Sequence, residues 1–223
     1  MKNKIDGKEV VMKIKRFVVG MLETNAYIVY DETSHEALVI DPGCEMRKMT
    51  DFIDRNFLKL KGIVLTHCHY DHIGAANGIK QKYEVPIYAH KKEVRCLADP
   101  EINHSAYSNG KPISISVDFA LADGDAIAVE GFALHVIHTP GHTPGGICLK
   151  VVGEDIIFTG DTIFSDDIGR MDLEGGSEDS MKRSLMNKAS KWPDTTVIYP
   201  GHGDSSTMGE VRKRNAEYIY MTK

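Results

Sequence analysis

The chain is poor in several things that would have settled its class at once. Its 223 residues include one Trp and four Cys, and no two cysteines stand in a Cys-x-x-Cys pair. That absence removes the commonest structural zinc and thiol-redox motifs. The four cysteines, Cys44, Cys68, Cys96 and Cys148, are scattered along a chain long enough to bury its own core. Free thiols in a reducing compartment are therefore expected, and with them a cytoplasmic location. No run approaches ~18 consecutive apolar residues, so no membrane-spanning helix and no membrane partner are expected. Met1 to Gly7 is not followed by an apolar stretch of signal-peptide length. Basic charge is not in excess either: 27 Lys and Arg stand against 32 Asp and Glu, a net −5. A nucleic-acid partner held on a basic surface is thereby disfavoured. Repeats and low-complexity linkers are missing, which predicts a single domain over residues 1–223, with residues 1–11 as a loose N-terminal extension.

What is present is an ordinary globular composition, 42% hydrophobic, with an excess of one functional side chain: 10 His. The element order is legible from periodicity. Val10–Val19, Ala26–Tyr30 and Ala37–Ile40 read as strands, and Asp41-Pro42-Gly43 closes the third with turn residues. Met46, Met49, Phe52, Ile53, Phe57 and Leu60 share one helical face. Ile63–Leu65 is a short apolar strand, Ile73–Lys82 a helix, Pro86–Ala89 a strand and Lys91–Leu97 a further helix, before a long loop over Asp99–Ser116. Strands resume at Ala126–Val129, Phe132–Ile137, Gly146–Val151 and Ile156–Thr159. Ser177 caps a helix whose face runs through Met181, Leu185, Ala189 and Trp192 until Pro193. Val197–Tyr199 is the last strand and Thr207–Tyr220 the closing helix. Strands then helices, twice over, suggest two similar halves packed sheet to sheet with helices outside.

The densest chemical signal is His67-x-His69-x-Asp71-His72, for which about 0.002 chance matches are expected. An extended segment leaving the Ile63–Leu65 strand alternates its side chains, so His67 and His69 point the same way and can grip one metal. Asp71 and His72 follow where the chain turns into a helix, within reach of a second ion. Three more Gly-framed loops end strands with a metal-competent residue: His142 in Thr-Pro-Gly-His-Thr-Pro-Gly-Gly, Asp161 in Phe-Thr-Gly-Asp-Thr, and His202 in Tyr-Pro-Gly-His-Gly. Four such loops together are hard to explain as ordinary turns.

This series resembles the ligand set of the metallo-β-lactamase-fold hydrolases. Val39-Ile-Asp-Pro-Gly43, Asp99-Pro-Glu-Ile-Asn-His-Ser105, Ile168-Gly-Arg-Met-Asp172 and Gly201-His-Gly-Asp-Ser-Ser-Thr-Met-Gly209 look like the short glyoxalase II-like (hydroxyacylglutathione hydrolase-like) branch, over nearly the whole chain from about residue 12. The resemblance implies an α+β protein: a four-layer αβ/βα sandwich with its metal site at the open edge of the two sheets. It places one metal on His67, His69 and His142 and a second on Asp71, His72 and His202, with Asp161 bridging. Two divalent ions are implied; mixed nitrogen and oxygen donors suit zinc, and also iron or manganese. Asp71 and Asp161 are the implied catalytic carboxylates. Two such ions can share a hydroxide, which would attack the acyl carbon of a small thioester while one metal polarises the carbonyl. Asp161, where many β-lactamases of this fold carry a cysteine, argues against antibiotic hydrolysis as the main activity. Alternatives on the same site are a mononuclear-iron persulfide dioxygenase using His67, His142 and Asp161, and a lactonase or phosphodiesterase.

The remaining readings are plainer. Arg170 is placed either on a substrate carboxylate or at the surface. Strand alternation turns Cys68 away from the metals as a packed thiol. Asp41 holds its turn. His138 is a packing residue near the site, and His35, His90, His104 and His135 are surface or packing residues. Only 21 residues follow His202, about one helix, so the helical domain that carries glutathione-binding cations in longer glyoxalase II enzymes has no counterpart.

Overall fold

The structure is a computed structural model that describes residues 12–223 and the backbone of a two-strand ribbon, β1 (Lys4–Ile5) with β2 (Lys8–Glu9). The extension expected over residues 1–11 otherwise lies outside the described residues. Two six-stranded sheets make up the body. The first has the spatial order β3 (Met12–Val19), β4 (Thr24–Asp31), β5 (Glu36–Ile40), β6 (Lys59–Leu65), β7 (Ile87–His90) and β8 (Phe119–Leu121). It is antiparallel from β3 to β5 and parallel from β5 to β8. The second runs β14 (Ser206–Thr207), β13 (Val197–Pro200), β12 (Ile156–Gly160), β11 (Ile147–Val151), β10 (Phe132–His138) and β9 (Ala126–Val129), with β12 and β13 parallel and the rest antiparallel.

Period-two alternation sorts each strand's residues between the layers. Val29, Leu38, Ile40 and Val64 face Leu134, Val136, Leu149 and Phe158 between the sheets. Their sequence neighbours Ile28, Val39 and Ile63 turn outward onto helices α1 (Met46–Arg55) and α3 (Ala76–Tyr83). On the other flank Cys148, Ile157 and Ile198 pack against α5 (Glu178–Asn187), α6 (Met208–Arg214) and α7 (Ala216–Met221). The molecule is thus helix, sheet, sheet, helix, the expected α+β sandwich. Among the described residues no helix is long and apolar enough to cross a membrane.

Several elements are shorter than their apolar periodicity. The first helix stops at Arg55; Phe57 takes φ 53° and is 81% exposed, while Leu60 belongs to β6. The left-handed residue breaks the helical ladder, and pairing of β6 with β5 outweighs the 3.6-residue pattern. The next expected helix is two pieces, α2 (Tyr70–Ile73) and α3. The closing helix divides at Asn215, whose side-chain amide donates to the carbonyls of Phe164 and Asp167 while its oxygen caps α7. A side chain that satisfies two carbonyls and a helix start is worth more there than as one more helical turn.

Candidate metal centre

Every residue of the ligand series stands just beyond the C-terminal end of a strand, all at one edge of the sandwich. His67 and His69 follow β6, with Asp71 and His72 in α2; His142 follows β10, Asp161 follows β12 and His202 follows β13. The edge is closed by contacts between the sheets. Asn25 donates from its backbone to Gly201 O at 2.7 Å and from its amide to Pro200 O, and the Tyr27 hydroxyl reaches the same Pro200 carbonyl at 2.6 Å. Gly201 is required by close approach. A Cβ there would lie 2.0 Å from Asp161 Oδ1 and 2.7 Å from the His72 ring.

The series converges into two cups. In one, His69 Nδ1 lies 2.8 Å from His142 Nε2, with the His67 ring beside both. In the other, His72 Nε2 is 3.3 Å from His202 Nε2 and 3.3 Å from Asp71 Oδ2, which is itself 3.3 Å from His202 Nε2. Donor atoms arranged tetrahedrally about a zinc ion would stand about 3.3 Å apart. Asp161 sits between the cups, its carboxylate 4.0 Å from His67 Nε2, 3.5 Å from His142 Nε2, 3.4 Å from His72 Nε2 and 3.6 Å from His202 Nε2.

The outer nitrogens of these rings set their tautomers. His142 Nδ1 donates to Arg170 O at 2.7 Å and His202 Nδ1 to Leu22 O at 2.9 Å. His72 Nδ1 donates to Asp41 Oδ2 at 3.1 Å, and His67 Nδ1 lies 3.1 Å from Thr66 Oγ1, whose own proton goes to Asp41 Oδ2 at 2.5 Å. In its neutral form each of these rings turns its unprotonated nitrogen inward, the arrangement that prepares an imidazole to bind a metal. His67 Nε2 and Asp161 Oδ1 are buried with no hydrogen-bond partner. Buried donors and acceptors without partners are costly, and a cation between the cups would satisfy both. The residues present thus fit divalent metal ions.

Electrostatics agree. Burial, then the neighbouring His72, holds the His67 imidazole well below its usual range, and burial with His142 pushes His69 down to about 3. His72 is held well above its usual range: burial opposes this, but the Asp71 and Asp161 carboxylates outweigh it. Those carboxylates are held far below the usual range, their own burial outweighed by the imidazoles around them. Ionised acids beside the neutral His67 and His69 rings make a cation-seeking site, and an arriving cation would displace the proton that those acids hold on His72.

Other sequence candidates fall in different places. Arg170 is exposed, its guanidinium paired with Asp172 through two contacts of 2.7 Å, and it is the Arg170 carbonyl that touches the site. His138 stacks on His90 at 4.0 Å, away from the cups. Asp41 does more than hold its turn. Left-handed at φ 48° and 2% exposed, it accepts from Thr66 N, Thr66 Oγ1 and His72, so it orients two of the rings. Thr24, unsuspected from sequence, donates to Asp71 Oδ2 at 2.8 Å. The Asp-Pro-Gly turn after β5 was the available signal for Asp41; nothing in the sequence marks Thr24.

The expectation of four free thiols is corrected. Cys68 does turn away from the metal cups, but in the first core it meets Cys96 of α4 (Val94–Ala98), and the two form a disulfide with Cα atoms 5.9 Å apart. Cys44 and Cys148 remain free. Pairing depends on how α4 packs under the metal loop, a long-range relation that cysteine spacing does not carry.

With this geometry in place, comparison with known proteins identifies the class. The model of the metallo-beta-lactamase superfamily matches residues 19–202, and the chain belongs to that family. It is 35% identical over 193 residues to the probable metallo-hydrolase YqgX of Bacillus subtilis, covering 86% of this chain and 90% of that protein. It is 31% identical over 210 residues to hydroxyacylglutathione hydrolase GloC of Haemophilus influenzae, covering 92% and 97%. Among solved structures, BLEG-1 B3 metallo-beta-lactamase superposes with TM-score 0.87 at 34% identity, over 95% of this chain and 100% of that one. TTHA1623 in a di-iron-bound form gives 0.79 at 30%, over 91% and 98%.

Proposed function

We propose that this chain is a metal-dependent hydrolase with a binuclear site that cleaves a small thioester, with zinc as the expected metal. The observation that carries this reading is the position of Asp161, within 4.0 Å of ring nitrogens from both cups. The likeness to a protein named hydroxyacylglutathione hydrolase supports thioesters as the substrate class. The likeness to a B3 metallo-beta-lactamase keeps the β-lactam amide as a comparison substrate, and the di-iron neighbour keeps iron as a comparison metal.

Two divalent ions, when bound, would lower the pKa of a shared water and polarise an acyl carbonyl. The chain's part is to hold the donors and exclude bulk water. His67, His69, His72 and His142 are each at most 6% exposed. Thr24 pins one Asp71 oxygen, and Asp41 with Thr66 pins His72 and His67, so the ring positions are set before substrate arrives. A thiolate leaves readily without a strong general acid. Small-molecule turnover, without a nucleic-acid or membrane partner, is part of this proposal.

The second reading is a persulfide dioxygenase with one iron on His67, His142 and Asp161, favoured by the two-histidine, one-carboxylate grouping with Asp161 Oδ2 3.5 Å from His142 and 4.0 Å from His67. Metal content of protein purified without added metal, measured beside S-lactoylglutathione hydrolysis and oxygen uptake on a persulfide, separates the two. We expect two ions per chain and a hydrolysis abolished by chelation and by Asp161→Ala. One iron with oxygen uptake, or full hydrolysis by Asp161→Ala, would overturn the proposal.

A further inference from the structure

The metal centre opens onto a cleft of about 960 Å³ lined by Asp71, Tyr70 and Thr24 and also by residues 107–114. Its walls carry apolar side chains that folding has left in water. Met21, Leu22 and Tyr107 all line it, at 87%, 52% and 74% exposed. Apolar surface gathered beside a reactive centre marks a ligand groove. The groove is mechanically continuous with the ligands, because the carbonyl of Leu22 holds His202 Nδ1 at 2.9 Å.

Charge in the cleft is sparse. Glu45 is engaged by Lys48 at 2.8 Å and by Gly20 N, and Asp71 belongs to the metal cup. Lys111, in the 107–114 segment, is the one cation in the lining and has no hydrogen-bond or ion-pair partner among the described residues. Its loop is nonetheless anchored. Asn103 donates to Ile113 O at 2.8 Å, Ile113 N donates to Ser105 Oγ at 2.8 Å, and Asn77 donates to Ser114 O at 2.9 Å. An ammonium group on an anchored loop that lines an apolar groove is a preformed anchor for an anion.

We infer that this cleft binds the non-reacting part of the substrate, and that it selects an extended, mainly apolar chain ending in a single carboxylate that pairs with Lys111. This rests on the thioester reading above, with the reacting carbonyl at the metal end. Such a substrate differs from glutathione, whose two carboxylates and ammonium group would meet one cation and an apolar wall.

The test uses N-acetylcysteamine thioesters of octanoate and of its ω-carboxylated counterpart. The matching thioethers, which cannot be hydrolysed, serve in calorimetry. Wild-type protein should prefer the carboxylated thioester by ~10-fold in kcat/KM and bind the carboxylated thioether ~10-fold more tightly, the range of one charge-assisted hydrogen bond. Lys111→Ala should bring both ratios to ~1, and Lys111→Glu should invert them. Thioester cleavage with no preference, or a preference that survives in Lys111→Ala, would overturn the carboxylate anchor and leave the hydrolase reading standing. Failure to cleave any thioester would overturn the hydrolase reading. In that case the thioethers still decide the cleft: equal binding of the two removes the anchor, and Lys111-dependent binding retains it.

Discussion

The disulfide between Cys68 and Cys96 offers a quantitative test of how the metal loop is held. Cys68 lies between two metal-facing histidines, and Cys96 lies in α4, so the bond ties the loop to the helix beneath it. Cys96→Ala breaks that tie. For a sequence separation of 28 residues, the loop-closure relation gives an entropy loss in the unfolded chain of about 12 cal/mol/K, or about 3–4 kcal/mol of stability at room temperature. That is a large share of the ~5–15 kcal/mol that holds a typical domain together. Urea unfolding should be followed by circular dichroism and by the fluorescence of Trp192, which is 8% exposed and reports on the core beneath α5, α6 and α7. Coincidence of the two probes shows that the domain unfolds as a unit. Cys96→Ala and reductant-treated wild type should both lose about 3–4 kcal/mol relative to the oxidised protein, with a larger m value because the released unfolded chain exposes more surface. In urea without reductant, two thiols per chain, those of Cys44 and Cys148, should titrate. Four titrating thiols, or a midpoint indifferent to reductant, would refute the reasoning.

Two further predictions concern side chains for which the sequence suggested no role beyond a turn. Asp41→Asn puts an amide donor where His72 Nδ1 and Thr66 Oγ1 now donate to Asp41 Oδ2. Metal affinity of the apo-protein should fall by ~10–100-fold in a competition titration with a chromophoric chelator, and an unchanged affinity would remove Asp41 from the support of the centre. Glu93, fully buried with Gly145 N donating to it at 2.6 Å, has its carboxyl pushed by burial from 4.5 up to about 7. Between those values the folded state holds a proton that the unfolded state has lost, so this contribution is complete below 4.5 and disappears as pH rises through 7. Glu93→Gln should therefore gain on wild type by up to about 3 kcal/mol in urea unfolding between pH 4.5 and pH 8. A wild-type-to-variant difference that does not vary with pH would exclude Glu93 as the titrating group.

Much of the site was legible because metal ligation demands particular side chains at particular strand ends. His67, His69, Asp71, His72, His142, Asp161 and His202 could be named from motif and alternation, and the structure brings all seven within one edge of the sandwich. The strands were legible for a related reason, since a sheet buried on both faces needs β-branched runs such as those of β4 and β6. Helix ends were less so. Phe57 and Leu60 fit the periodicity of α1, but a left-handed residue and a competing strand register cannot be seen in it.

The sequence by itself determined the candidate donor set and most of the order of strands and helices, because these depend on residue type and local spacing. Tertiary structure alone decided what surrounds the donors. Asp41 reaches His72 across 31 positions, Leu22 O reaches His202 across 180, Cys68 pairs with Cys96 across 28, and Lys111 is carried into the lining of the cleft. Such relations depend on how two sheets and their helices pack, and side chains that meet only through packing leave no periodic trace along the chain.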